Sequence, residues 1–343
     1  MKMMQLLIFA ILILLVLNVS VSPIFAKAPT TPKILFTSAR DGNYEVYIMN
    51  PDGSEKVNLT RHHAHDLGAV WSPTGEQILF VSDRGGKRDL YFMNSDGTNV
   101  RRVFKSKTET RREDPTWSPD GKQIAYWYLN GKDGPSGVYI ATLGKQDAEY
   151  FVLGSDPAWS PDGREIACGA AEPGRTWLIL ANVRTQKYAR LLPKKALPWQ
   201  RTPSWSATGD KLVFVGNNAP LPVIPELDLD NAKALHNAWK DKQTIFIVNR
   251  DGTGLQQLVD EAGEEVWAPE ISPNGEQVLY TQRTNVENQI FELDVNSGIR
   301  TQLTHTSRNF GGDWFDPAYT LPVSPKPHLL TTTWADVKTH KPH

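Results

Sequence analysis

Charged and aromatic side chains gather in short segments that each lead into a tryptophan-centred strand. Arginine and tryptophan side chains are enriched at surfaces that bind proteins or peptides. We therefore predict a protein or peptide site at these segments, and the alternative is that their charges simply pair with one another. The candidate residues are His63, His65, Asp66, Arg112, Asp114, Asp156, Trp199, Arg201, Glu265, Trp267 and Arg308.

The run His62-His63-x-His65-Asp66 has the ligand types that zinc, manganese or iron accept. Consecutive histidines point in different directions, however, and no further ligand spacing completes a cage, so the sequence predicts neither a metal nor a cofactor. No Gly-x-Ser-x-Gly elbow, His-Glu-x-x-His pair or phosphate-binding glycine loop is present. The leading hypothesis is thus a non-enzymatic binding protein.

Two other functions stay open from the residues alone. One is an enzyme centred on a channel, a polysaccharide lyase or hydrolase that uses the histidine cluster with a metal. The other is a carbohydrate-binding module that stacks sugars on Trp199 and Trp267. Lys plus Arg (37) nearly equals Asp plus Glu (38), which argues against a nucleic-acid partner because such proteins carry a basic face.

The elements that position these residues are repeats. A Trp-Ser-Pro-Asp-Gly motif and its variants recur with a period in the forties, which is typical of one four-stranded propeller blade. Apolar strand-like runs follow every copy except the last. Asn-x-Asp-Gly turns follow two copies, at 94–97 and 249–252, and a Gly after Asp or Asn favours a tight hairpin. We expect Trp71, Trp117, Trp159 and Trp205 to fill the wedges between blades, with their N–H groups hydrogen-bonded. The copies begin at Trp71, Trp117, Trp159, Trp205, Ile271 and Trp314.

The two ends of the repeat array complement each other. The chain enters mid-unit at Ile34 without a tryptophan strand, whereas the copy at Trp314 has no strands after it. The sequence therefore predicts an all-β, six-bladed β-propeller of four-stranded antiparallel blades over residues 33–319. Its ring is closed when the C-terminal strand joins the N-terminal blade, which protects the sheet edges.

Three segments lie outside the repeats. Residues 1–26 have the layout of a cleaved signal peptide, with Lys2 before an apolar run and small residues at the cut. A membrane anchor is the alternative to cleavage. Residues 217–243 form a loop insertion with a predicted short helix at 231–240. Residues 320–343 form a Pro-rich tail. Because the single cysteine, Cys168, lies in a strand-like run, we expect it to be buried.

The repeat resembles that of TolB-like proteins, a WD40-like (PD40) propeller family. The resemblance rests on Trp-Ser-Pro-Asp-Gly, Ser82-Asp-Arg-Gly85 and Leu90-Tyr-Phe-Met-Asn-Ser-Asp-Gly97, and it covers about residues 33–318. It implies a scaffold in the periplasm or outside the cell that binds a protein or peptide, such as an envelope component, with no membrane contact after signal cleavage. The α/β domain that precedes the propeller in TolB is not expected here. Similar repeats occur in prolyl-oligopeptidase-type peptidases, whose hydrolase domain is not expected either.

Blade geometry separates two faces. If the tryptophan strand is innermost, the Ser-Pro-Asp-Gly and Asn-x-Asp-Gly turns share one face, the regular-turn face. The segments entering the tryptophan strands and the loops after the second strands share the other, which we call the irregular-loop face. Because function concentrates in variable loops on a rigid scaffold, we expect the partner site on the irregular-loop face, around the mouth of the central channel.

Overall fold

The protein is represented by a computed structural model that describes residues 27–105, 110–129, 134–145, 147–222, 229–260, 265–285 and 287–320. The predicted signal peptide (1–26) and the Pro-rich tail beyond Thr320 lie outside the described residues. Within them the structure is all-β and is built from antiparallel, four-stranded sheets with short turns.

Valine, isoleucine, leucine and aromatic residues dominate the strands. Side chains of this kind fit a pleated, half-buried surface, which explains why these segments form strands. Three sheets come from the first half of the chain. The first contains β1 (Lys33–Ser38), β2 (Glu45–Met49), β3 (Val57–Asn58) and the last strand of the described residues, β24 (Asn309–Phe315). The second contains β4 (Asp66–Trp71), β5 (Gln77–Ser82), β6 (Asp89–Asn94) and β7 (Arg101–Arg102). The third contains β8 (Arg111–Trp117), β9 (Gln123–Leu129), β10 (Gly137–Thr142) and β11 (Ala148–Val152).

The second half continues the pattern. Two antiparallel four-stranded runs are joined into one larger sheet by a single parallel bridge between Thr176 and Trp199. The first run contains β12 (Ser155–Trp159), β13 (Glu165–Glu172), β14 (Arg175–Asn182) and β15 (Tyr188–Arg190). The second contains β16 (Trp199–Trp205), β17 (Lys211–Asn217), β18 (Thr244–Asn249) and β19 (Gln256–Gln257). The last sheet contains β20 (Val266–Ile271), β21 (Gln277–Arg283), β22 (Asn288–Asp294) and β23 (Arg300–Gln302).

The strand that completes the first sheet is β24, which pairs antiparallel with β1 through Lys33–Phe315 and Ile34–Trp314. The sheet order is therefore β24-β1-β2-β3, and strands far apart in sequence meet in one sheet, since Ile34 and Trp314 are 280 residues apart. The sequence predicted this pairing from the surplus tryptophan copy, and the register confirms it.

The core consists of apolar layers between neighbouring sheets. In one layer Leu79 and Phe92 of the second sheet pack with Trp117 and Tyr126 of the third. In another, residues of the first sheet pack with residues of the last, with Phe36 and Tyr47 near Leu279 and Ile290. Cys168 is buried in such a layer as predicted, and burial raises the pKa of its thiol to about 12, so it stays protonated.

The insertion between β17 and β18 contains the helix α1 (Leu229–Lys240), where the sequence predicted one over 231–240. Trp239 fixes its end, because the indole N–H donates to the carbonyl of Ala219 and the Trp239 carbonyl accepts from the Asn217 amide. Among the described residues, no helix has the length and apolar character that crossing a membrane requires.

Candidate functional site

The first strand of each repeat and β24 lie side by side and line one cavity. Its volume is about 660 Å³, and β4, β8, β12, β16, β20 and β24 all contribute to its wall. Side chains from one strand accept hydrogen bonds from the backbone of the next. Thr116 accepts from Trp159 N and Ser204 from Ile271 N, both at 3.4 Å. Asp313 of β24 accepts from Trp71 N in the same way. We call this space the central cavity.

Each of the six strands carries a β-bulge three residues before its tryptophan or tryptophan-equivalent position. The bulge residue has a positive φ in every case. Glycine occupies it in β4 and β24 (Gly68, φ 60°; Gly311, φ 67°), where left-handed backbone is free of a Cβ clash. The other bulge residues are Asp114, Asp156, Thr202 and Ala268, with φ of 49–52°. The bulges re-aim the backbone at the cavity wall, a placement common beside functional sites.

Prolines form two levels of the cavity wall. Pro115, Pro157, Pro203 and Pro269 lie two residues before the tryptophan position, within the strands. Pro73, Pro119, Pro161 and Pro273, from the Trp-Ser-Pro motif, lie two residues after it, at the regular-turn face. Together with the tryptophans they give the cavity a rigid and largely apolar surface.

The charge on that surface has one sign. The described lining contains the carboxylates of Asp114, Asp156, Glu270, Asp313 and Asp316, and it contains no lysine or arginine. Such a wall favours a cationic group over an anionic one, because field lines from like charges concentrate in a cleft with low-dielectric walls.

Asp114 and Asp156 occupy neighbouring bulges. The Asp114 side chain is exposed to the central cavity and is surrounded by the cavity wall. Desolvation by this wall, with repulsion from Asp156 and Glu113, raises the pKa of Asp114 well above its usual range. The Arg201 guanidinium binds Asp156 from the next strand with N–O distances of 2.9 and 3.2 Å. Among the described residues Asp114 has no such partner at salt-bridge distance.

Glu270 and Asp313 form a second pair of carboxylates, each one residue before the tryptophan position of its strand. Desolvation and the charge of Asp313 raise the pKa of Glu270, which also contacts the Ser204 hydroxyl. Desolvation raises the pKa of Asp313 as well, and its hydrogen bonds from the Trp71 and Trp314 backbone oppose that effect. No lysine or arginine of the described chain forms a salt bridge with either residue.

The predicted site residues on the irregular-loop face are mostly engaged with neighbours. Buried Asp66 binds Arg84 at 2.7 Å, and Arg112 binds Asp89 at 2.9 Å while its guanidinium lies 4.1 Å from the Phe104 ring centre. The Glu265 carboxylate forms a salt bridge with the Lys240 ammonium group of α1 at 2.9 Å. These contacts tie loops to one another, which is the alternative that the sequence left open.

Arg308 follows the same pattern, because it binds Glu287 at 3.0 Å and donates to the Tyr44 hydroxyl at 2.9 Å. Trp199 packs edge-on against Trp239 of α1, with ring centres 5.0 Å apart, so this ring is engaged within the protein. Of the residues predicted for the site, Asp114, Asp156 and Trp267 line the central cavity.

His63 and His65 are exposed on this face. The His63 ring stacks on His62 at 4.2 Å, and His65 Nδ1 accepts from the backbone of Tyr44 at 3.2 Å. The described part of the chain contains no group of three or more His, Cys, Asp and Glu side chains arranged to hold a metal ion.

The repeat tryptophans pack between sheets, as predicted, but their N–H groups differ from expectation. Trp159 donates to Gly163 O at 3.3 Å and Trp205 to Ala158 O at 3.1 Å. The buried N–H groups of Trp71 and Trp117 have no partner among the described residues, so the predicted hydrogen bond is wrong for these two. The buried N–H of Trp314 has no partner there either. Trp71 and Trp117 gain aromatic contacts instead, with Phe315 and Phe92.

Glu270 and Asp313 were not among the residues predicted for the site. Their signal was available in the alignment of the repeats, since both occupy the position just before the tryptophan copy. At that position the other copies carry Val70, Thr116, Ala158 and Ser204. A carboxylate at a repeat position that is otherwise apolar or hydroxyl-bearing marks that residue as a candidate for the site.

Antiparallel four-stranded sheets whose first strands line a common cavity define a β-propeller-type domain. A family model described as the TolB beta propeller domain (PD40) matches residues 16–113 and 108–309. The chain belongs to this family, as the sequence motifs predicted.

Solved structures with this fold include TolB from Acinetobacter baumannii, with a TM-score of 0.63 and 18% identity over 82% of this chain. The match spans 66% of that protein, just under two thirds of its length. A putative TolB from Agrobacterium tumefaciens has a TM-score of 0.60 and 16% identity, covering 83% of this chain and 92% of that one. A chain in the crystal structure of a nidogen/laminin complex has a TM-score of 0.61 and 10% identity, and the match covers 82% of this chain and 98% of that one. These likenesses show the fold alone. No curated protein matches the chain.

Proposed function

We propose that this protein is a non-enzymatic scaffold of the cell envelope or periplasm that binds a protein or peptide partner. The observation that carries the proposal is the central cavity, whose wall combines prolines and tryptophans with five carboxylates and no lysine or arginine. A partner segment that presents a lysine or arginine beside apolar residues suits this wall.

The proposal includes a ring of six blades closed by β24. The support is that the same contact links β24 to β4 and β8 to β12. The Asp313 side chain of β24 accepts a hydrogen bond from Trp71 N of β4, and the Thr116 side chain of β8 accepts one from Trp159 N of β12. A second contact recurs between neighbouring sheets, from a bulge glycine to a threonine hydroxyl. The Thr37 hydroxyl accepts from Gly68 N, and the Thr281 hydroxyl accepts from Gly311 N. Such equivalence is expected when β24 and β4 are neighbours in the same series.

The location and the kind of partner rest on further support. The signal peptide predicted at residues 1–26 and the family favour an envelope location. The fold also occurs in a chain of a nidogen/laminin complex, which is an assembly between proteins. Within the predicted site we assign partner contacts to Asp114, Asp156 and Trp267. Residues such as Arg112 and Arg308 instead hold loops in place through their ion pairs.

In-cell crosslinking followed by affinity purification and mass spectrometry tests this function. The full chain is compared with a cavity variant, Asp114→Asn with Glu270→Gln and Asp313→Asn. A matched control, Arg308→Gln with His63→Ala, alters the irregular-loop face. We expect the cavity variant to lose a partner that the control retains. Retention of all partners by the cavity variant, or loss only in the control, would place the function elsewhere.

A further inference from the structure

The described chain ends on the wall of the central cavity. After β24, the Asp316 side chain accepts from Ala318 N at 2.9 Å and begins a single 3-10 turn, Pro317–Tyr319. Tyr319 and Thr320 both line the cavity. The residues that follow Thr320 therefore start at the regular-turn end of that cavity, beside the carboxylate of Asp316.

The sequence that follows has a distinctive composition. Residues 321–328 read Leu-Pro-Val-Ser-Pro-Lys-Pro-His, with three prolines, one lysine and no acidic residue. We call residues 321–328 the Pro-Lys segment. The remaining residues, 329–343, contain two further lysines against a single carboxylate side chain, Asp336. A basic, Pro-rich stretch thus begins where an acidic, Pro- and Trp-lined cavity opens.

The chemistry of the two surfaces is complementary. Pro-rich segments favour the extended polyproline II helix and dock on aromatic-lined grooves at a low entropic cost. Their lysines add selectivity when carboxylates lie at the groove. The central cavity offers tryptophans for the prolines, and Glu270 and Asp313 for an ammonium group with no competing cation in the described lining.

The lengths also agree. Eight residues of polyproline II span about 25 Å at about 3.1 Å per residue. The cavity wall runs for seven strand and turn residues, from Trp267 to Pro273, which is about 23 Å at about 3.3 Å per residue. Glu270 lies three residues from Pro273, about 10 Å along the wall at about 3.3 Å per residue. Lys326 lies six residues after Thr320, about 19 Å at about 3.1 Å per residue. Lys326 therefore reaches the level of Glu270 and leaves about three residues for the reversal of the chain after Thr320.

We propose that the Pro-Lys segment occupies the central cavity of its own chain, with the Lys326 ammonium against Glu270 and Asp313. It then competes with a partner for the same site, and this consequence rests on the function proposed above. Tethering gives such a short segment an effective concentration in the millimolar range, so weak intrinsic affinity suffices for occupancy. A partner must displace the segment in order to bind.

Carbodiimide crosslinking of the full chain tests the contact, because it joins a lysine amine to a carboxylate that lies against it. We expect a Lys326 crosslink to Glu270 or Asp313, with the same yield at every protein concentration. Lys326→Arg keeps the charge and removes the crosslink. Crosslinks of Lys326 only to carboxylates outside the cavity would overturn the proposal. So would mixed-isotope crosslinks between chains in a sample that combines labelled and unlabelled protein.

Competition provides an independent measurement. A fluorescent peptide with the sequence of residues 321–328 is titrated into the native chain and into the Lys326→Glu variant. In that variant the chain's own Pro-Lys segment should bind the cavity more weakly. We expect at least tenfold tighter peptide binding by Lys326→Glu. Adding Glu270→Gln and Asp313→Asn to that variant should abolish the binding. Equal affinity for the native chain and Lys326→Glu, or no binding to either, contradicts occupancy of the cavity by this segment.

The two proposals fail in different ways. If the Lys326 crosslink forms but no partner depends on the cavity carboxylates, the segment contact stands and the proposed function falls. If a partner depends on those carboxylates but its recovery and the peptide affinity are unchanged in Lys326→Glu, the function stands and the segment contact falls.

Discussion

On the irregular-loop face, Arg112 lies 2.9 Å from Asp89 and Arg308 lies 3.0 Å from Glu287. In the central cavity, Glu270 and Asp313 lie close enough to repel each other, and no lysine or arginine of the described chain pairs with them. Both regions are rich in charge, but Arg112 and Arg308 have carboxylate partners within the protein, whereas Glu270 and Asp313 have no cationic partner among the described residues. The difference indicates that a cationic group of a partner is best accommodated in the central cavity.

The contrast has an energetic meaning. A buried ion pair recovers the cost of removing its charges from water, whereas neighbouring carboxylates in a desolvated site repel and retain protons. Substitutions should therefore act in opposite directions in the two regions. Loss of a carboxylate on the loop face should destabilise the fold, and neutralisation of a cavity carboxylate should stabilise it while weakening ligand binding.

The largest effect is expected from Asp89→Ala, because it leaves Arg112 and Arg102 without their shared carboxylate. Breaking a buried pair by removing one partner costs about 3–5 kcal/mol. Urea unfolding at pH 7 measures the change, with Asp89→Asn as a control that keeps the shape. A loss below about 1 kcal/mol would show that the loop-face pairs hold little of the structure together.

The next effect concerns Arg201, which forms an ion pair with Asp156 beside Asp114. Arg201→Met keeps much of the side-chain length but leaves Asp156 without its ion-pair partner. We expect a loss of about 1–3 kcal/mol, the usual cost of removing one partner of a buried hydrogen bond. Adding Asp114→Asn should recover part of that loss, since asparagine tolerates the positive φ of this bulge. Strictly additive free energies in the double-mutant cycle would contradict the coupling.

The sequence predicted the elements well because their signals are local and repeated. The Trp-Ser-Pro turns, the strands after them and the surplus copy at Trp314 together predicted the sheet order β24-β1-β2-β3. The helix within the insertion was also predicted, to within two residues at its start.

The site was less predictable because charge pairing depends on residues distant in sequence. Asp156 meets Arg201 from the next repeat, and Glu265 meets Lys240 from the inserted helix. Arg308 contacts Tyr44, 264 residues away. Residue type alone made all of these candidates for partner binding, and only the fold shows which charges are already neutralised. Glu270 and Asp313 stand inside strands, where an apolar or hydroxyl side chain is the repeat's usual choice.

A smaller effect is expected in the pH dependence of stability. A raised carboxyl pKa means that the folded state keeps its proton to higher pH than the unfolded state does. The stability from this proton is complete below the ordinary carboxyl pKa of about 4 and is lost as the pH rises through the raised pKa. The free energy of unfolding should therefore fall between about pH 5 and pH 8.

The double variant Glu270→Gln with Asp313→Asn isolates this contribution, because both residues have a raised pKa in the folded protein. Urea unfolding at several pH values should show a shallower decline for the variant than for the native chain. A cationic peptide should also bind the native chain more tightly as the pH rises, since it requires ionised carboxylates. Parallel stability curves for variant and native chain would show that these two groups titrate normally.

The smallest effect is expected for His63→Ala, since this exposed ring contacts the neighbouring ring of His62 and has no charged partner that the structure records. Surface substitutions of this kind change stability by about 0.5 kcal/mol or less. Partner recovery and thermal stability should both match those of the native chain. A large loss of partner binding in His63→Ala, with the fold intact, would return the site to the irregular-loop face and remove the contrast between the two regions.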